Sequence, residues 1–190
     1  SNLQTFKLNE RNKMNDILPK KSLKNLTSYR PQVNESKDEG VIRLSVNEGA
    51  LGPSPLAIKA IKEWSTKPYL FHRYPNQLDE NLILAIKERY NLIKENIVLG
   101  NGSDDLIQLI CNAFLNQDDE AIYTEFGFLV FPQSIKIAGG VPVMAKDKNY
   151  TVDIEAILES VSVKTKIIFV ANPNNPTGTM IPRSDLMKLI

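Results

Sequence analysis

Apolar residues along this chain fall into two patterns, a helical period and short continuous runs, and the two alternate. Leu82, Ile83, Ile86 and Tyr90 share one face of a helix over 78–90. Leu106, Ile107, Leu109, Ile110, Ala113 and Phe114 do the same over 104–115. Short apolar runs of strand length occur at 97–99, 121–123, 141–145 and 166–171. Further helices are expected at 55–63, where Ile58, Ile61 and Trp64 share a side, at 128–137 before Gly139 and Gly140, at 154–161, and from near Arg183. Strands alternating with helices of this length predict an α/β fold: a mainly parallel sheet with helices on both faces. No internal repeat or low-complexity segment interrupts the pattern.

Composition narrows the class. The chain has 190 residues, 42% of them hydrophobic and 24% charged, enough for one globular domain with a sizeable core. A net charge of +1 gives no attraction to nucleic acid or to a membrane surface. Lys20, Lys21 and Lys24 read as a solvated arm. The one cysteine, Cys111, lies on the apolar side of a helix; it argues against disulfides, fits a reducing cytoplasm and reads as a small buried residue. The lone His72 cannot assemble a metal site, and none is expected. Residues 1–22 are rich in Asn and Lys and lack the apolar core of a signal peptide. They are expected to be poorly ordered or to form a dimer-embracing arm. No run is long enough to span a bilayer.

Two segments carry candidate chemistry. The apolar run 166–171 ends in Asn172-Pro-Asn-Asn-Pro-Thr-Gly178, a stiff, amide-rich loop at the carboxyl end of a predicted strand. Ligands of open α/β sheets bind just beyond such ends, so the loop either aims an Asn at a ligand or is an ordinary turn. The run 97–99 leads into Gly100-Asn-Gly-Ser-Asp-Asp105 and a helix. Ser103 reads as the N-cap, with Asp104 and Asp105 at the positive end of the dipole. The glycines would let free N–H groups approach a phosphate; the plain alternative is a capped helix after a strand. The spacing is neither the P-loop nor the dinucleotide fingerprint, which disfavours a nucleotide-binding module.

Together these two loops resemble the class I and II aminotransferases, which use pyridoxal phosphate (PLP) on fold type I. Three more stretches resemble the histidinol-phosphate aminotransferase family: Leu26-Thr-Ser-Tyr-Arg-Pro31, Arg43-Leu-Ser-Val-Asn-Glu-Gly-Ala-Leu-Gly-Pro-Ser-Pro55 and Arg73-Tyr-Pro75. The resemblance runs from about Leu23 to the last residue, in order and with similar spacing. It implies that Gly102, Ser103 and Asp104 hold the cofactor phosphate, that Phe128 stacks on the pyridine ring, and that Asn175 hydrogen-bonds its phenolic oxygen. Phe131 stands where a Tyr is more usual. Tyr74 would reach the phosphate of a partner subunit, implying a homodimer with shared sites, and Tyr29, Asn47 and Glu48 would close over the substrate. Each has a plainer reading: Phe128 as core, Asn175 as a turn cap, Tyr74 as a surface residue.

The resemblance also defines what is missing. The family's Schiff-base lysine, the Asp that pairs with the pyridinium nitrogen and the substrate-clamping Arg have no matching context here, so no catalytic residue is assigned. The chain is expected to be the N-terminal half of a cytoplasmic enzyme: an arm at 1–22, an arm and small-domain segment at 23–75, and a truncated part of the PLP-binding large domain at 76–190. The activity implied is transamination between a small amino donor and a 2-oxo acid, with histidinol phosphate and 2-oxoglutarate the leading pair. Aromatic amino-acid transamination, threonine-phosphate decarboxylation and an inactive PLP-binding fragment are the alternatives.

Overall fold

The computed structural model describes residues 20–23, 26, 47–67, 71–74 and 79–190. The chain divides into two compact units, one of Tyr29–Leu106 and one of Ser1–Ser28 with Ile107–Ile190.

In the first unit, α1 (Pro55–Ser65) starts where the Ser54 hydroxyl accepts the Leu56 N–H and Pro55 occupies the first turn. It buries no residue, and Ile61 and Trp64 stay exposed although their spacing is helical. Helix α2 (Glu80–Tyr90) is capped by Asp79, which accepts the Leu82 N–H at 3.1 Å, and ends at Asn91 in the left-handed region. Ile83 is its buried residue. Helix α3 (Ser103–Phe114) begins in this unit and continues into the other.

The expected strand at 97–99 is not formed. Ile97 has extended dihedrals, but no strand pairs with the segment among the described residues, and Val98 is exposed. A strand exists only through its partners, which a local apolar run cannot supply.

The second unit is a three-stranded, wholly parallel sheet in the order β2-β1-β3, formed by β1 (Glu120–Thr124), β2 (Val141–Ala145) and β3 (Thr165–Ile168). Parallel neighbours require crossovers, and α4 (Val130–Ala138) and α5 (Ile154–Glu159) supply them. Gly139, at φ 105°, turns the chain out of α4, as the glycine pair predicts. Asp153 caps α5 through the Glu155 and Ala156 N–H groups. A short α6 (Arg183–Leu186) follows the loop after β3.

Alternation along β1 divides the core. Ala121 faces Ile107, Cys111, Val130, Phe131, Ile135 and Phe169 under α3 and α4. Ile122 faces Ala145, Val152, Ile154, Ile157 and Ile181 beside α5 and α6. Helices therefore cover both faces, as the pattern predicts.

Cys111 has no accessible surface, and burial pushes its thiol up to about 11. Alkylation of the native protein at neutral pH is expected to be at least about 100-fold slower than in denaturant. Equal rates would place Cys111 at the surface.

Candidate functional site

The loops that follow the three strands gather at one end of the sheet. After β1, the Gly127 N–H donates to the Thr124 carbonyl at 2.9 Å, closing a turn. A side chain at Gly127 would meet Thr124 Oγ1 at 2.7 Å and Thr124 O at 3.0 Å, so only glycine fits against this buried threonine. The turn delivers half-buried Phe128 to the start of α4. Phe128 meets Phe131 edge-on at 6.0 Å, and Phe131 stacks on Phe169 at 4.7 Å. Such pairs contribute on the order of 1 kcal/mol each beyond area burial and fix ring orientation.

After β3, the loop 172–181 is held largely by its own side chains. Asn172 bonds the Ile181 backbone twice, donating to its carbonyl at 3.2 Å and accepting its N–H at 3.0 Å. Asn174 is buried, donating to Phe126 O at 3.1 Å and to Thr177 Oγ1 at 2.9 Å. Its backbone exchanges hydrogen bonds with Thr179 and Gly178, each 2.8 Å. Both Asn–Pro peptide bonds in the loop are cis. Asn175, next in sequence, is half-buried.

After β2, Asp147 Oδ2 accepts the Phe126 N–H at 2.9 Å, while Oδ1 is buried without a partner. Burial, chiefly, pushes its carboxyl above the usual carboxylate range; the Phe126 N–H opposes this, and the negative Glu125 and Asp153 add to it.

In the first unit, Gly102, Ser103 and Asp104 lie exposed at the N-terminus of α3. Gly102 has φ 86°, which requires glycine, and its carbonyl accepts the Leu106 N–H. Gly102 therefore takes the cap position, and Ser103 is the first helical residue, not the N-cap the sequence predicts. Asp105 closes the turn by accepting the Asn101 N–H at 2.9 Å. The first-turn N–H groups of Ser103 and Asp104 have no intrahelical acceptor and belong to exposed residues, an arrangement suited to an anion.

The predicted residues thus fall into two sets. Phe128 and Asn175 lie on adjoining loops of the second unit, joined by the Asn174–Phe126 bond. Gly102–Asp104, Asn47, Glu48 and Tyr74 belong to the first unit, where Glu48 and Tyr74 are exposed and Asn47 has φ 56°. Tyr29 lies outside the described residues. Sequence reasoning missed Asn174 and Asp147. The available signals were the doubled Asn and a single acid between two lysines just past a strand end.

A surface groove of about 540 Å³ is lined by other residues, among them Lys148, Asp153 and Lys188. Its Lys188 is already paired with Glu155 at 3.0 Å and Asp185 at 3.4 Å. Among the described residues no group of three His, Cys, Asp or Glu could hold a metal ion, and no helix is long and apolar enough to cross a membrane.

Residues 39–190 match the family model of aminotransferase class I and II. The chain belongs to that family. It is 42% identical over 168 residues to a histidinol-phosphate aminotransferase of Paramagnetospirillum magneticum, covering 86% of this chain and 46% of that protein. It is 41% identical over 179 residues to the enzyme of that name from Dinoroseobacter shibae, covering 93% and 48%. The chain therefore spans about half the length of the curated relatives it matches. The fold is that of a Sinorhizobium meliloti histidinol-phosphate aminotransferase solved in complex with pyridoxal-5'-phosphate: TM-score 0.70 at 23% identity, over 75% of this chain and 38% of that one. The α/β, fold type I architecture expected from the sequence is the one observed.

Two outcomes follow from the strand-end geometry. Gly127→Ala is expected to cost about 1–3 kcal/mol through the Thr124 clash, read as a lowered denaturation midpoint; an unchanged midpoint would mean the turn has room. Because the native carboxyl of Asp147 is raised, the stability it gives is complete below the usual carboxylate range and is lost as pH rises through the raised value. Asp147→Asn should therefore gain stability relative to wild type between acid and neutral pH in denaturant titrations. A pH-independent difference would show that burial does not shift the group.

Proposed function

We propose that the full polypeptide carrying this chain is a PLP-dependent aminotransferase that transfers the amino group of histidinol phosphate to 2-oxoglutarate. The observation that carries the reading is the identity of 41–42% to histidinol-phosphate aminotransferases across 86–93% of the chain. In this reading the protein is a cytoplasmic homodimer with shared sites. Residues 1–22 are an arm, 23–75 an arm and small-domain segment, and 76–190 part of the cofactor-binding large domain.

The residues present fit the cofactor's chemistry. The first-turn N–H groups of Ser103 and Asp104, behind a glycine with φ 86°, suit a phosphate, and the Ser103 hydroxyl adds a donor. The Asp104 carboxylate does not suit an anion, so its backbone N–H is the matching group. Phe128, fixed edge-on by Phe131, offers a ring face, and Asn175 a short amide on the adjoining loop. When bound, PLP supplies an electron sink for negative charge developing at the donor's α-carbon.

The chain's own part is binding and orientation. Gly102, Ser103 and Asp104 hold the phosphate, with Tyr74 reaching that of the partner subunit. Phe128 restricts the ring plane, and Asn175 donates to the phenolic oxygen. Tyr29, Asn47 and Glu48 contact the substrate and exclude water. The lysine that bonds the cofactor is not assigned to any residue of this chain.

With the full natural polypeptide and 2-oxoglutarate, kcat/KM for histidinol phosphate should exceed that for phenylalanine by at least about 10- to 100-fold, the effect of a lost charged contact. Asn175→Ala should lower the preferred rate by roughly 10- to 100-fold and shift the cofactor absorbance. Equal rates on both donors would overturn the substrate assignment, and no transfer from either would overturn the reaction class.

A further inference from the structure

The backbone of Phe126 is gripped from both sides by side chains distant in sequence. Its N–H donates to Asp147 Oδ2 at 2.9 Å, across 21 positions, and its carbonyl accepts from Asn174 Nδ2 at 3.1 Å, across 48. Asp147 comes from the loop after β2 and Asn174 from the loop after β3, so the backbone of one residue, Phe126, ties all three strand-end loops together. The tie is reinforced on each side. The Glu125 N–H donates to the Ala145 carbonyl at 2.9 Å, and the Phe126 ring lies 4.9 Å from Tyr150. Asn174 continues through Thr177 to Thr179, whose hydroxyl donates to the Tyr150 carbonyl at 2.8 Å. Phe128 is two residues from the gripped backbone, and Asn175 is covalently next to Asn174.

We infer that Asp147 and Asn174 are positioning residues: by holding the Phe126 backbone between them, they fix the ring of Phe128 and the amide of Asn175 as one body. This rests on the proposed cofactor role of Phe128 and Asn175. A bound ring touched on its face by one loop and on its edge by another is held only as firmly as the loops are held to each other. The bond needs only an acceptor oxygen at the Asp147 position, which a carboxyl or an amide can supply. Asn174, 4% exposed, is too buried to exchange its bonds with water.

The test uses the full natural polypeptide with two readouts: hydrogen exchange of the Phe126 amide without cofactor, and PLP affinity with the induced circular dichroism of bound PLP. Asp147→Ala removes the acceptor, Asn174→Asp removes the donor at constant shape, and Asp147→Asn keeps an acceptor. The first two should speed Phe126 exchange and weaken PLP binding, each by about tenfold, with a changed dichroism band; Asp147→Asn should stay within about twofold of wild type on both. Amides of β1 and β3 serve as the folding control, and if Asp147→Ala fails it, Asn174→Asp carries the comparison. Unchanged Phe126 exchange overturns the grip. Faster exchange with wild-type affinity and dichroism overturns its role in positioning. Failure of the wild-type protein to take up PLP overturns the proposed function instead, while the exchange measurements still decide whether the grip exists.

Discussion

Parallel pairing of β1 with a strand on each side is the constraint from which the second unit follows. Parallel strands start from the same end, so each connection must cross the whole sheet, and a helix is the compact way to do it. With β2 and β3 on opposite sides of β1, the crossovers and flanking helices cover both faces, and β1 becomes apolar on both, with Ala121 and Ile122 fully buried. The same pairing brings the carboxyl ends of all three strands to one edge. Residues far apart in sequence, Phe126, Asp147 and Asn174, are then within hydrogen-bond reach.

At that edge the chain must satisfy backbone groups that the sheet no longer pairs, and it does so with short amides and hydroxyls. Asn172 serves both the carbonyl and the N–H of Ile181, as a neighbouring strand would. Asn174, Thr177 and Thr179 form a short chain of hydrogen bonds ending at Tyr150 O. Networks of this kind rigidify when most members are satisfied and are costly where one is not. Two oxygens remain buried and unpartnered here, Asp147 Oδ1 and Asn174 Oδ1.

Much of this was legible in the sequence. Helical periodicity and short apolar runs located six helices and three strands within a few residues, because local amphipathicity and capping are written in adjacent positions. The strand expected at 97–99 failed because pairing is not local: Ile97 is extended, yet nothing pairs with it among the described residues. Helix α1 shows the same limit. Its apolar spacing specified the helix, but Leu56, Ile61 and Trp64 are exposed, since what covers a face is decided elsewhere in the chain. The Ser103 cap was misassigned because Gly102, at a positive φ, takes the cap position and the helix starts one residue earlier.

The doubled asparagine shows why site residues are harder to read than folds. Asn174 and Asn175 are chemically identical and adjacent, so no spacing rule separates their tasks; the environments do. Asn174 is buried and spends its amide on Phe126 and Thr177, which commits it to the scaffold. Asn175 is less enclosed and one residue further along the same stiff loop, next to a neighbour whose position is fixed. Asp147 does the equivalent for the aromatic loop, holding the Phe126 N–H two residues before Phe128, whose ring is set against Phe131.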